Sequence, residues 1–386
     1  MTTADLGAAK AAAQARVLSD RPTLIGLADR IHANPETGWQ EHKAAAWVAE
    51  EVAAAGFDVE AGAFGLPTAV HARFGTGSRR VGLVAEYDAL PGLGHACGHN
   101  LIAATAVGAA LALGSLADDL DLTVELYGAP AEEGGGGKIE MLDRGAFAGL
   151  DLAMMAHPAP RDVAEAAPFA VTHSHIAYDG ESAHAGTYPE RGVNANDAFV
   201  IAQVAIGLLR QQLPAGTRVH GIQTIGGQAP NAIPAHTEGR WYVRAETLAQ
   251  LAELDDRVRR CFEAGALASG TALTITPESQ PYSEFRTYRP ALQAYVANAV
   301  ALGREFAGPD EDVPMRRAST DMGNVSQAVP AIHPYVGVGP TTSSNHQPGF
   351  AAACVGPAAE AMVIDTATAL AWTAIDLFHP CRREDA

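Results

Sequence analysis

The 386-residue chain is poor in cysteine, in aromatic residues and in basic residues. Its cysteines, Cys97, Cys261, Cys354 and Cys381, show no pairing spacing, which argues against a disulfide framework and favours reduced thiols in the cytoplasm. Only 26 Lys and Arg oppose 44 Asp and Glu, and the net charge of −18 argues against nucleic acid and anionic membranes as partners. The aromatic content of 6% gives no sign of a large stacking pocket.

The sequence also lacks an apolar run that clearly predicts a membrane span. The longest run, residues 101–116, is rich in Ala and Gly and favours a buried helix. The first twenty residues lack a basic segment followed by an apolar one, so we expect no signal peptide. With 48% hydrophobic residues the chain can bury a large core, and its length favours two domains.

Alternating strand and helix patterns predict an α/β fold with helices on both faces of a sheet. Helical spacing covers residues 10–33 and 41–56, and strands are predicted at 68–74, 81–87, 122–128, 150–156 and 331–338. The middle of the chain follows the ferredoxin-like order βαββαβ, with elements at 170–180, 194–213, 218–226, 236–246, 247–265 and 271–281. We therefore predict one domain from residues 1–168 and 284–386, and an inserted domain at 169–283.

The most informative stretch is residues 86–100, EYDALPGLGHACGHN, which directly follows a predicted strand. It brings Asp88, His95, Cys97 and His99 into a Gly-rich loop. A thiolate and two imidazoles are ligands that a borderline-soft divalent metal prefers. Taken alone, Cys97 is more typical of a reduced thiol buried in a hydrophobic core. The cluster as a whole favours a metal site.

Other candidate residues follow other predicted strands. Glu132 and Glu133 come after strand 122–128 in AEEGGGGK, His157 follows strand 150–156, and His346 lies in SSNHQPGF after strand 331–338. Each motif alone is also typical of a solvated loop. In an open α/β sheet, however, ligands bind at the edge where the carboxyl ends of strands meet. The shared position of these residues therefore predicts an active site.

Together with AHP and GESAHAG, these motifs resemble the aminoacylase/carboxypeptidase family of metal-dependent peptidases. The match is nearest to the amidohydrolase branch, which includes hippurate, indoleacetyl-amino-acid and p-aminobenzoyl-glutamate hydrolases. It extends from His32 to beyond Phe350, with the motifs in family order. The resemblance implies a zinc-peptidase-like catalytic domain with a mixed sheet flanked by helices, and an inserted lid and dimerisation domain.

The same resemblance implies a dinuclear site holding two divalent metal ions per subunit, Zn or Mn, with Ni or Co as further candidates. The implied ligands are Cys97 as the bridging thiolate, His99, Glu133, His157 and His346. The resemblance also implies Glu132 as the general base, and Asp88 and His95 as groups that orient the ligands.

Three candidate residues lie in the inserted domain. His184, in GESAHAG, resembles the family's oxyanion-stabilising histidine, which in relatives often reaches a neighbouring subunit's site; a homodimer or higher homo-oligomer is therefore implied. Asn231 in APNAIP and Arg244 in WYVR match positions that help to bind the substrate's carboxylate or scissile carbonyl. A turn asparagine and a sheet-surface arginine are the alternative interpretations.

Four further residues complete the comparison. Asp321, in STDMGN, matches a loop near the site, and His32 and Glu36 match a loop to which we assign packing and site support. Asn100 departs from the branch, in which many members have Asp. An amide there lowers the negative charge near the metals and leaves the metal preference open.

The predicted function is metal-dependent hydrolysis of the amide bond of an N-acyl or aminoacyl amino acid, a small-molecule substrate. A dipeptidase or carboxypeptidase is the first alternative, and a hydrolytic deaminase of an aromatic amine is a more distant one. A non-catalytic metal-binding relative is a third alternative. The complete set of implied ligands and the implied base argue against it.

Overall fold

The computed structural model describes residues 3–308, 311 and 313–379. The chain forms two compact units, one of Met1–Ala167 with Phe285–Ala386 and the other of Pro168–Glu284. The predicted boundaries of the inserted domain differ from these by one residue at each end. Cys97, Cys261 and Cys354 are free thiols, and Cys381 lies outside the described residues.

The first unit begins with helices α1 (Thr3–Ser19), α2 (Arg21–His32) and α3 (His42–Ala54). Strands β1 (Asp58–Ala61), β2 (Val70–Phe74) and β3 (Arg79–Glu86) follow, then α4 (His99–Gly114), α5 (Ala117–Leu120) and β4 (Leu122–Ala129). Helix α6 (Gly137–Asp143) and the short strands β5 (Leu152–Met154) and β6 (His157–Ala159) complete this half of the unit.

The second unit contains β7 (Ala170–Asp179), α7 (Ala195–Leu209), β8 (Arg218–Ile225), β9 (His236–Ala245), α8 (Leu248–Ser269) and β10 (Ala272–Pro277). Its strands pair antiparallel in the order β10-β7-β9-β8. Alternate residues of β9 are buried beneath α7 and α8, including Trp241 and Val243. This is the predicted βαββαβ order, with two helices on a four-stranded sheet.

The chain then returns to the first unit through α9 (Arg289–Ala301), α10 (Met322–Ala328), β11 (Ala331–Ile332), β12 (Tyr335–Gly337), α11 (Pro348–Ala353) and α12 (Pro357–Phe378). In the described residues the main sheet has the order β1-β2-β4-β3-β5-β11. Strands β4, β3, β5 and β11 are mutually parallel, whereas β1 and β2 are antiparallel to their neighbours. The sheet is mixed, as predicted.

Helix α4 lies at the centre of the core of the first unit. It packs on β3 and against α2 and α12, and each of its residues is buried. Its Ala- and Gly-rich sequence permits this close packing on several sides. Among the described residues, α12 is the one helix long and apolar enough to cross a membrane, and 67% of its apolar window is buried in the fold.

Two strand predictions needed correction. Residues 331–338 form two short strands in different sheets, β11 beside β5 and β12 beside β6. Pro334 explains the break, because proline lacks a backbone N–H and restricts the residue before it. The prediction also missed β1, an exposed edge strand whose four residues carry little apolar signal.

One helix prediction also needed correction. The predicted helix 10–33 is divided into α1 and α2 at Asp20, just before Pro22.

Candidate metal centre

The candidate ligands lie beyond the carboxyl ends of parallel strands. Strand β3 leads into the loop carrying Cys97, β4 leads into the turn carrying Glu133, and β5 leads to His157. Because these strands run in the same direction, their carboxyl ends share one edge of the sheet. The backbone N–H of His346 donates to Ala96 O at 2.8 Å, which brings the last candidate ligand to the same edge.

A glycine positions the two central ligands. Gly98 has φ +78° and directly precedes α4, so it separates Cys97 from His99 at the start of that helix. A Cβ at this position would lie 2.7 Å from Pro158 Cβ. The left-handed backbone and the close approach both require glycine.

The side chains form overlapping groups whose potential ligand atoms lie within 4.8 Å of one another. Cys97, His99 and His157 form one group, and Cys97, Glu133 and His346 form another. Cys97 Sγ lies 3.6 Å from Nε2 of His157 and 3.6 Å from Nε2 of His346. The thiol therefore belongs to two potential metal-binding groups, and His99 also belongs to a second one, with Glu86 and Glu132.

Asp88 orients residues of both groups. Its Oδ1 accepts from Nδ1 of His99 at 2.9 Å, and its Oδ2 accepts from the backbone N–H of Glu133 at 3.0 Å. With a proton on Nδ1, His99 would offer the lone pair of Nε2 to a metal, and Nε2 receives no hydrogen bond in the described part of the chain. Burial lowers the pKa of His99, but the charge of Asp88 outweighs burial and raises this pKa well above its ordinary value. A bound cation would therefore displace the second ring proton. A carboxylate behind a histidine is a common way to orient a metal ligand.

His157 is held in the same tautomer by a backbone carbonyl. Its Nδ1 donates to Pro158 O at 2.8 Å, so Nε2 is left to face Cys97. Burial, followed by the charge of His99, lowers the pKa of His157 to about 4. The ring is therefore neutral at neutral pH, which is the form that binds a metal.

Negative charge is concentrated behind the ligands. Glu86, Glu132 and Asp321 are buried, and Lys138 is the buried cation among them. The Lys138 Nζ lies 2.5 Å from Glu86 Oε1 and 2.5 Å from Asp321 Oδ1. Burial and the charge of Glu86 raise the pKa of Glu132 well above its ordinary value. Bound cations would compensate this excess of buried carboxylates.

The donor set fits a divalent metal of borderline softness. It combines one sulfur, three imidazole nitrogens and a carboxylate, and the Nδ1 atoms of His99 and His157 already have hydrogen-bond partners that direct Nε2 toward the candidate site. Burial and the charge of Glu133 raise the pKa of Cys97 well above its ordinary value. A bound cation would reverse this preference and stabilise the thiolate.

The second unit holds the other predicted residues. Exposed His184 and Asn231 lie on adjacent loops, where Ala185 N donates to Asn231 O at 2.9 Å. Arg244 lies on β9, and its Nε donates to His220 Nε2 at 3.3 Å. The unit therefore brings His184 and Asn231 together and places Arg244 on the sheet.

Known proteins resemble the chain over most of its length. The model of peptidase family M20/M25/M40 matches residues 82–364. The chain belongs to this family. The mouse Xaa-Arg dipeptidase is 40% identical, with 99% of this chain and 92% of that protein covered. A p-aminobenzoyl-glutamate hydrolase component from Escherichia coli K12 is 32% identical over 66% of this chain and 57% of that protein.

A solved structure supports the same fold. The Bacillus subtilis YXEP protein, described as a dinuclear metal binding peptidase of the M20 family, aligns with a TM-score of 0.69 at 20% identity. The alignment covers 93% of this chain and 99% of that protein. Family membership confirms the prediction of a metal-dependent amide hydrolase, and the clustered residues form candidate metal-binding groups.

The sequence position of Asn100 suggested a side chain near the metals, but in this M20 fold its amide bonds to backbone carbonyls instead. Its Nδ2 donates to Cys354 O at 3.0 Å and Ala28 O at 3.3 Å, and it belongs to neither Cys97 group. A carboxylate could not donate these bonds.

His95 is buried, and its ring centroid lies 6.1 Å from that of His32. Neither ring nitrogen of His95 has a hydrogen-bond partner among the described residues. Of the two residues predicted to orient the ligands, Asp88 makes such contacts, to His99 and to the backbone of Glu133.

Sequence reasoning missed three residues beside the ligands. Glu86 Oε2 lies 3.5 Å from His99 Nε2, and Lys138 pairs with both Glu86 and Asp321. Asn345 Nδ2 donates to Pro158 O at 3.1 Å and lies 3.7 Å from Cys97 Sγ. All three lie inside the motifs quoted above. A lysine that follows two adjacent glutamates after only four glycines was the available signal for Lys138.

Proposed function

We propose that the protein is a dinuclear metallo-dipeptidase that releases a C-terminal basic amino acid from a dipeptide. The observation that carries this proposal is Cys97, shared between two groups of potential ligands. The 40% identity to the mouse Xaa-Arg dipeptidase, over nearly the whole chain, supports the choice of substrate. The net charge of −18 also favours a cationic dipeptide over the anionic p-aminobenzoyl-glutamate.

In this proposal Cys97, His99 and His157 hold one metal ion, and Cys97, Glu133 and His346 hold the other. When bound, these ions, Zn or Mn with Ni or Co as further candidates, would supply the Lewis acidity that activates a water and polarises the amide carbonyl. Glu132 accepts the proton of the attacking water and delivers it to the leaving nitrogen. Its burial keeps the carboxylate away from bulk water.

The inserted unit supplies the remaining groups. His184 donates to the oxygen of the tetrahedral intermediate, and Asn231 and Arg244 bind the substrate's carbonyl or carboxylate. Arg244 suits this task because a guanidinium can bind a carboxylate through two parallel hydrogen bonds. We place the enzyme in the cytoplasm, in keeping with its unpaired cysteines.

We propose that the second unit also forms a homodimer. Val200, Val204 and Leu208 form an exposed stripe on α7, with relative exposures of 53%, 59% and 69%. Contacts from Gln223 to Asn196 and from Arg210 to Val219 place α7 beside the edge strand β8. A second copy could cover the stripe and pair with this edge.

Sedimentation velocity tests the dimer. We expect the wild type to be a dimer at micromolar concentration and V204E to be a monomer with an unchanged circular dichroism spectrum. A wild-type monomer, or a dimer of the V204E variant, would contradict the assignment.

A substrate panel tests the activity. The metal-loaded protein is incubated with Ala-Arg, Ala-Lys, Ala-Glu, N-acetyl-arginine and p-aminobenzoyl-glutamate, and the free amino acid is quantified. We expect the highest kcat/KM for Ala-Arg and Ala-Lys, and no turnover after chelation. Preferred cleavage of p-aminobenzoyl-glutamate would contradict the proposed dipeptidase activity and favour an activity like that of the Escherichia coli relative.

A further inference from the structure

A buried carboxylate outside the metal-binding groups touches the turn that carries Glu132 and Glu133. Glu41 is fully buried just before α3. Its Oε1 accepts from the backbone N–H of Ala131 at 2.7 Å and from that of Trp39 at 2.9 Å. One carboxylate oxygen therefore joins the loop before α3 to the residue that precedes Glu132.

Both residues that donate to Glu41 have a left-handed backbone. Ala131 has φ +52° and Trp39 has φ +66°. Side-chain-bearing residues adopt this conformation at a cost in free energy, and they keep it when surrounding contacts enforce it. Strained residues of this kind cluster at functional sites.

Close packing reinforces the contact between the two segments. A Cβ on Gly135 would lie 2.6 Å from Ala131 Cβ and 2.8 Å from Trp39 Nε1, so the turn after Glu133 approaches Trp39 at a distance that only glycine permits. The backbone on the other side is also fixed, because Glu133 N donates to Asp88 Oδ2 at 3.0 Å. The turn is thus held from Glu41 on one side of Glu132 and from Asp88 on the other.

We infer that Glu41 is a positioning residue, a clamp that holds Ala131 in its left-handed conformation and so fixes the general base Glu132 and the ligand Glu133. This inference rests on the proposed function, because it assigns a purpose to the geometry of those two carboxylates. Burial and the charge of Asp88 raise the pKa of Glu41 to about 7. The acceptor atom Oε1 is present in both protonation states, so glutamine is a suitable isostere.

Glu36 offers a matched control on the same loop. Its Oε2 accepts from Lys43 N at 2.8 Å and from Ala44 N at 3.0 Å, at the start of α3. The E36A variant, like E41A, removes a carboxylate that accepts two backbone N–H groups, but these bonds lie outside the turn 130–136. E41Q keeps the acceptor oxygen. E41D keeps the carboxyl group, but its side chain is one methylene shorter.

The test compares these variants by hydrogen exchange, metal titration and kinetics. In E41A and E41D we expect faster amide exchange across residues 131–137 and weaker binding of one of two metal ions. In E41A we expect kcat to fall by about 10²-fold at nearly constant KM, the effect of a misplacement of about 1 Å. E41Q should stay near the wild type in all three readouts. E36A should leave amide exchange at residues 131–137 unchanged, because its two bonds lie at the start of α3.

The inference is overturned if E41A and E41D leave exchange at 131–137 unchanged, if E36A speeds exchange there as much as E41A does, or if E41Q lowers kcat as much as E41A does. A wild type that binds metal but hydrolyses none of the amides would refute the proposed function. Exchange and metal titration would still test the clamp in that case.

Discussion

Replacing Lys138 by methionine tests the charge balance behind the metal ligands. The ammonium lies 2.5 Å from one carboxylate oxygen each of Glu86 and Asp321, and all three side chains are fully buried. Burial lowers the pKa of Lys138, but the charges of Asp321 and Glu86 outweigh burial and raise it overall. The lysine is therefore a buried cation, and K138M leaves two buried carboxylates without it.

The expected loss of stability in K138M follows from the complete burial of Lys138 and its two partners. Breaking a buried ion pair by removing one partner costs about 3–5 kcal/mol. For a unit of this size, about 2 °C of melting temperature corresponds to 1 kcal/mol, so we expect the first unit to melt roughly 6–10 °C lower. The triple variant K138M/E86Q/D321N removes the three charges together and should recover part of this loss, because it leaves no carboxylate of this trio buried without its cation.

Melting temperatures are measured by calorimetry on the metal-free protein, and a substitution of Lys10 serves as the control. Its Nζ also bonds two partners, Asp376 at 2.7 Å and Asn298 at 2.8 Å, but its side chain is 22% exposed. Because solvent screens this pair, K10M should cost about 1 kcal/mol or less. The reasoning is refuted if K138M melts at the same temperature as K10M, or if the triple variant is less stable than K138M.

Three further predictions concern catalysis and stability. E132Q should retain its metal and lower kcat by about 10²–10⁴-fold, the contribution of a general base; loss of metal instead would make Glu132 a ligand. H184A should lower kcat by about 10²–10³-fold, and near-normal turnover would remove His184 from the mechanism. Glu125, fully buried, accepts from His71, Arg80 and Tyr127 at 2.7–2.8 Å. Burial raises the pKa of Glu125, but these partners outweigh burial and lower it from 4.5 to about 2. Its contribution to stability is therefore complete above pH 4.5 and is lost as the pH falls through about 2. The difference in melting temperature between wild type and E125Q should shrink over that range, and a constant difference would contradict the assignment.

The central strands could be predicted because burial on both faces leaves a continuous apolar signal. Strands were predicted at residues 81–87 and 122–128, and the structure has them at Arg79–Glu86 and Leu122–Ala129, within two residues at each end. Strand direction then placed the polar residues after them at one edge of the sheet. The shared position of these residues was therefore predictable from local sequence patterns, whereas their assignment as ligands came from the family resemblance.

The groups that support those ligands were not predictable in the same way. Glu41 and Ala131 are ninety residues apart, and Lys138 and Asp321 are separated by 183. Such contacts depend on how helices and loops pack, and a single sequence carries no local signal for them. The role of Asn100 was missed for the same reason, since its acceptors Ala28 and Cys354 lie 72 and 254 residues away along the chain.

Metal content per chain tests the central claim most directly, that Cys97 joins two metal-binding groups. Purified protein is stripped, reloaded with Zn or Mn, desalted and measured by atomic emission. We predict two ions per chain for the wild type, about one for H157A and about one for H346A, and fewer than one for C97A, since each histidine belongs to one group and Cys97 to both. A wild type that binds one ion, or a C97A variant that keeps two, would contradict the account.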